Sequence, residues 1–141
     1  MTQTFFADTS FLVAFYNIRD RHHLPARAFI AKLSERKESV HFLITDYIFD
    51  ETLTTILSRG GKQLAMDAGQ RIFTSTIITI QTIDEKLFRQ AYEIFIRYAD
   101  QEWSFTDCSS IAFLKKHPHP ISVAAFDRHF VTAGFQTFPA I

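Results

Sequence analysis

A chain of 141 residues is close to the commonest domain size, and a hydrophobic content of 47% excludes an intrinsically disordered chain. Lys plus Arg equals Asp plus Glu at 15 each, which excludes a broad positive field; attraction for a polyanion needs a local patch, a bound cation or a partner chain. The single cysteine, Cys108, excludes an internal disulfide and no apolar run reaches the length of a membrane span, so one soluble, cytoplasmic domain over residues 1–141 is expected.

The chain opens on a short apolar strand, Gln3 to Ala7, followed by Asp8 and then a short helix from Thr9 to Tyr16. The polar stretch Asn17 to His23 breaks the pattern. Leu24, Ala28, Phe29, Ala31 and Leu33 then recur at helical period, and the charged run Glu35 to Glu38 closes that helix. Val40 to Ile44 is a β-branched second strand. Thr45 and Asp46 offer caps for a helix carrying Ile48, Phe49, Leu53, Ile56 and Leu57, which stops before Gly60-Gly61.

Lys62 to Thr74 reads as a further helix and Ile77 to Ile80 as the third strand. Asp84 caps a long helix marked by Leu87, Ala91, Ile94, Phe95 and Tyr98. Ser104-Phe105-Thr106-Asp107 opens another helix, with Thr106 or Asp107 as its cap, and its basic end at Lys115-Lys116 suits the helix dipole. Ile121 to Phe126 is the fourth strand, Asp127 to Phe130 a turn or short helix, and a small strand closes the chain near Gln136 to Phe138. Strands alternating with helices predict an α/β fold with a mainly parallel central sheet flanked by helices on both faces. Neither a G-x-G-x-x-G nor a Walker phosphate loop occurs among the four glycines. Cys108 has no His partner in sequence and reads as a small core residue.

Four acidic positions share one address in such a sheet. Asp8 follows the first strand, Glu51 lies early in the helix after the second, Asp107 opens a later helix and Asp127 follows the fourth strand. Strand-to-helix junctions of a parallel sheet lie on one edge, where open α/β sheets bind ligands. Taken alone, Asp8 is more commonly a helix cap. Yet two carboxylates about 5 Å apart repel by roughly 3 kcal/mol at an effective dielectric of about 20, so four together need protons or a divalent cation. An all-oxygen set favours Mg²⁺ or Mn²⁺ over Zn²⁺. Asp46 and Asp50 are rivals for the place of Glu51. Thr9 or Ser10 is expected to cap the first helix and leave the Asp8 carboxylate free.

The segments Phe6-Ala7-Asp8-Thr9-Ser10-Phe11-Leu12-Val13-Ala14, Ile44-Thr45-Asp46-Tyr47-Ile48-Phe49-Asp50-Glu51, Ser104-Phe105-Thr106-Asp107-Cys108 and Ala125-Phe126-Asp127-Arg128-His129-Phe130 resemble, in order, the signature blocks of the PIN-domain family, most closely its VapC-like toxins. The resemblance implies a single PIN-like α/β domain and an endoribonuclease dependent on Mg²⁺ or Mn²⁺, the toxin of a type II toxin–antitoxin pair. It carries over Asp8, Glu51, Asp107 and Asp127 as the metal-binding, catalytic quartet, with a supporting hydroxyl from Thr9, Ser10 or Thr106. Glu51 takes the second place because the family sets Glu after a short hydrophobic stretch beginning with Thr.

Arg19, Arg21, His22 and His23, together with Arg128 and His129, are candidates to grip an RNA backbone or stack on bases. The implied partners are an RNA substrate, a cognate antitoxin and a second copy of the chain; Phe29, Phe49 and Phe95 are candidates for an exposed apolar face. Two other readings compete: a PIN-like interaction module without turnover, and a metal-dependent phosphatase. A haloacid-dehalogenase-like phosphatase requires a second Asp two residues after the first, where Ser10 stands.

Overall fold

The computed structural model describes residues 2–139. Five strands form one sheet: β1 (Thr2–Ala7), β2 (Ser39–Thr45), β3 (Ile78–Gln81), β4 (Ser122–Ala124) and β5 (Thr137–Phe138), in the spatial order β3-β2-β1-β4-β5. All four pairings are parallel, so the mainly parallel sheet expected from the sequence is parallel throughout. The helices are α1 (Thr9–Tyr16), α2 (His23–Ser34), α3 (Asp46–Gly60), α4 (Lys62–Thr74), α5 (Glu85–Arg97), α6 (Phe105–Lys116) and α7 (His129–Thr132). Among the described residues no helix is long and apolar enough to cross a membrane.

The order of strands explains where the helices sit. From β1 the chain moves outward through β2 to β3 and then returns to the other side of β1 for β4 and β5. Right-handed crossovers put the helices of these two excursions on opposite faces. Phe5 and Phe6 show the consequence, since neighbours on a strand point to opposite faces. Phe5 meets Phe29 of α2 at 5.5 Å between ring centroids, whereas Phe6 meets Phe113 of α6 at 5.6 Å and Phe130 of α7 at 6.4 Å. Both rings are buried, so β1 is the central plank of a two-faced core.

Local chemistry fixes the element ends. Thr45 caps α3 by accepting from the Ile48 N–H at 3.1 Å, and Asp84 caps α5 through the Leu87 N–H at 2.8 Å. Gly61, at φ +90°, makes the sharp corner between α3 and α4, a conformation that side-chain-bearing residues rarely adopt. α3 runs one residue further than expected, through Gly60. β4 is shorter than Ile121 to Phe126 because the Phe126 N–H bonds a side chain, Ser10 Oγ, in place of a neighbouring strand.

Two of the three phenylalanines expected at the surface are not there. Phe29 lies half-buried against Phe5, Phe11 and Phe138, and Phe49 packs edge-on to Phe73 at 5.0 Å. Phe95 is exposed, together with Phe88, Tyr92 and Ile96 of the same helix.

Candidate active site

β1 and β4 are neighbours whose onward connections leave in opposite directions, which makes the crevice beyond their carboxyl ends the switch point of the sheet. Ala7 pairs with Ala124, and the Asp8 N–H continues that ladder by donating to Ala124 O at 2.9 Å. Ser10 then locks the two strand ends together. Its hydroxyl donates to Asp8 Oδ2 at 2.7 Å and accepts from the Phe126 N–H at 3.0 Å, which sets Asp127 next to the bridge.

The Ser10 N–H also donates to Asp8 Oδ2, at 3.1 Å, so Asp8 itself caps α1. The expectation that Thr9 or Ser10 would take the cap and free the whole Asp8 carboxylate is corrected here. Oδ2 is committed to Ser10; Oδ1 makes no hydrogen bond among the described residues. A correction also applies at α6, where the cap is Ser104 and not Thr106 or Asp107. Ser104 Oγ accepts from the Asp107 N–H at 3.0 Å and Asp107 Oδ2 accepts from the Ser104 N–H at 2.9 Å, a reciprocal capping box. The same Oδ2 faces His129 Nε2 at 3.6 Å.

The three acidic residues around the start of α3 point to different tasks. Asp46 Oδ1 accepts from the Ile83 N–H at 2.9 Å and ties down the loop after β3, while Asp50 is exposed and receives only a long bond from Thr54 at 3.4 Å. Glu51 lines the cleft at the switch point. That cleft has a volume of about 690 Å³ and is lined by Thr9, Ser10, Arg19, Asp20, Arg21, His22, Glu51, Thr55, Arg59, Ser104, Asp107, Phe126 and Asp127, among others. Asp8, which is buried, and Thr106 and Arg128 are not among its lining residues.

Burial and crowding act together on the acids. Asp8 is only 2% exposed, and loss of water pushes its carboxyl up from 3.8 to about 7; the bonds from Ser10 oppose the rise, and the fields of Asp107 and Asp127 add to it. Glu51 is raised as well, first by burial, with the neighbouring Thr9 hydroxyl opposing and then Asp107, Asp127 and Asp50 reinforcing. Thr9 Oγ1 is buried and makes no hydrogen bond of normal geometry. The quartet is thus drawn into one electrostatic neighbourhood, yet among the described residues no three His, Cys, Asp or Glu side chains stand close enough to hold one ion in this arrangement. Like Asp8, Asp107 has one oxygen committed, Oδ2 to the Ser104 N–H, and the other without a hydrogen bond among the described residues. Cys108 is buried with its thiol pushed up to about 11 by burial, then by Asp107, which suits a packing role.

Sequence reasoning missed Asn17 and Arg59. Asn17 is buried at the end of α1 and accepts from the Arg19 N–H at 3.0 Å, shaping the loop that carries Arg19, Arg21 and His22. Arg59 reaches Asp20 across the cleft at 3.7 Å. The signal was present: Glu51, Thr55 and Arg59 are four apart on α3 and share a helix face.

The PIN domain profile matches residues 5–136. The chain belongs to the PIN-domain family. Within it, the chain is similar to the 23S rRNA-specific endonuclease VapC20 of Mycobacterium tuberculosis, with 32% identity over 130 residues covering 92% of this chain and 94% of that protein. A VapC ribonuclease of Archaeoglobus fulgidus is 32% identical over 105 residues, 73% of this chain and 65% of that one. The crystal structure of M. tuberculosis VapC20, described as a sarcin–ricin loop cleaving toxin, superposes with a TM-score of 0.82 at 30% identity, over 93% of this chain and 95% of that chain. FitAcB from Neisseria gonorrhoeae shares the fold at 18% identity with a TM-score of 0.60, over 98% of this chain and 96% of that one.

Proposed function

We propose that this PIN-family protein is the toxin of a toxin–antitoxin pair and acts as an endoribonuclease dependent on Mg²⁺ or Mn²⁺. The observation that carries the reading is the gathering of Asp8, Glu51, Asp107 and Asp127 at the switch point beside a cleft that also holds Arg19, Arg21 and Arg59. Four acids kept together against their own repulsion, two of them raised, are poorly suited to stability and well suited to a cation. The donor set is of the kind a hard divalent ion takes, since its atoms are carboxylate oxygens and the nearby thiol is protonated, and holding one ion requires the acids to draw closer than they stand in this structure. When bound, such an ion lowers the pKa of water and offsets charge on the scissile phosphate.

The chain's own residues supply the rest. Ser10 fixes the direction of Asp8 and holds the Asp127 segment against it; the capping box fixes Asp107; α3 presents Glu51. Arg19 and Arg21, with Arg59 paired to Asp20, line the same cleft and give a phosphate backbone cationic groups to meet beside the acids. The similarity to VapC20 makes a structured ribosomal RNA loop the first substrate to test. The exposed Phe88, Tyr92, Phe95 and Ile96 of α5 offer apolar area for a second copy of the chain or an antitoxin segment.

The test is cleavage of a sarcin–ricin hairpin and a control hairpin by wild type and Asp8→Asn, with Mg²⁺, Mn²⁺ or EDTA. Wild-type cleavage that needs the ion and vanishes in Asp8→Asn is expected. No cleavage of any RNA, or equal cleavage by both proteins, refutes the reading and leaves a fold without turnover.

A further inference from the structure

We infer that the outer face of His22 is a stacking platform for one unstacked nucleobase of the RNA, held beside the bond to be cut. The inference rests on the ribonuclease reading above and assigns a subsite within the same cleft. His22 and Phe126 lie in a close parallel stack, with centroids 4.4 Å apart and planes 6° from each other. Phe126 stacks in turn on Phe11 at 6.0 Å and 11°, and Phe11 on Phe42 at 6.3 Å and 18°. Near-parallel rings are therefore in contact from Phe42 and Phe11 in the core through Phe126 to His22, which lines the cleft. Among the described residues no other ring or cation covers the second face of His22.

The plate is rigid for reasons visible in the loop. The His22 N–H donates to Asp20 Oδ1 at 2.8 Å, its carbonyl accepts from the Ala26 N–H at 3.0 Å, and Asp20 is paired to Arg59 across the cleft. His23, the other member of the pair, turns away to Ala14 O at 2.8 Å and serves the scaffold. Phe126 is also the residue whose N–H is bound to Ser10, so the platform and the Asp8–Ser10–Asp127 cluster share one support. Arg19 and Arg21 line the same cleft and can take the flanking phosphates, which leaves a fixed aromatic face to take a base. Every base has a π-face, and single-stranded or splayed nucleotides are held on such rings.

The experiment uses RNA hairpins carrying one abasic nucleotide at successive positions around the cleaved bond, with wild type, His22→Ala and His22→Phe. One abasic position is expected to raise KM for wild type about tenfold. His22→Ala should raise KM on intact RNA by a similar factor with a smaller change in kcat, and should erase the abasic penalty; His22→Phe should restore both, since stacking survives without the imidazole nitrogens. Equal KM for wild type and His22→Ala overturns the inference, as does a loss that His22→Phe shares. Metal-free Asp8→Asn protein binding a 2-aminopurine-labelled hairpin gives a second arm independent of turnover. Quenching that disappears in Asp8→Asn/His22→Ala and returns with Asp8→Asn/His22→Phe supports the platform even if wild type cuts no RNA, and identical quenching in all three overturns it.

Discussion

Replacing Asp8 by Asn is expected to stabilise the metal-free protein and to do so more as the pH rises. The folded carboxyl holds its proton up to about 7, whereas the unfolded chain releases it near 3.8. Between these values the folded state binds more protons, so the contribution of Asp8 to stability falls as the pH climbs through that window and stays low above it. The full cost is about 4 kcal/mol, of which about 3 kcal/mol accrues between pH 5 and pH 8. Asn keeps an oxygen for the Ser10 N–H and is an equally good cap, so the substitution removes the charge and little else. In thermal unfolding followed by circular dichroism in EDTA, the Tm advantage of Asp8→Asn should therefore widen by roughly 10 °C from pH 5 to pH 8. Added Mg²⁺ should close the gap at pH 8 by stabilising wild type alone. A gap that does not change with pH refutes the account of why Asp8 is raised.

Ser10→Ala removes the hydroxyl shared by Asp8 Oδ2 and the Phe126 N–H; a loss of about 1–3 kcal/mol in chemical unfolding is expected, with a further rise of the Asp8 carboxyl seen by NMR titration. Protons and cation compete for Asp8 and Glu51, both raised, so cleavage at fixed Mg²⁺ should increase with pH through about 7 and more Mg²⁺ should move the midpoint down. Iodoacetamide at pH 8 should leave Cys108 unmodified in the native protein and label it after unfolding, because the thiol is buried and raised to about 11.

What the sequence revealed follows physical range. Apolar periodicity is a local property, and it located α1 at Thr9–Tyr16 and α4 at Lys62–Thr74 as the structure has them. Alternation of strand and helix was enough to bring Asp8, Glu51 and Asp127 to one edge, whereas Asp107 opens a helix that follows another helix and alternation alone does not place it. Contacts between distant segments were not legible. The Ser10 to Phe126 bond spans 116 positions and lies where β4 ends. Arg59 entered the cleft only once Asp20 stood opposite it, and the His22–Phe126 stack needed the loop after α1 to fold back over the end of β4. Phe29 and Phe49 looked like surface residues until partners on other elements covered them.

The most direct test of the central claim, that the acidic cluster holds a cation against the scissile phosphate, is cleavage of RNA with one non-bridging phosphate oxygen replaced by sulfur at the cut site. Sulfur binds Mg²⁺ poorly and softer ions well. Wild-type cleavage is expected to slow sharply in Mg²⁺ and to recover in Mn²⁺ or Cd²⁺ relative to the all-oxygen substrate. A sulfur effect of the same size in every ion would contradict the claim.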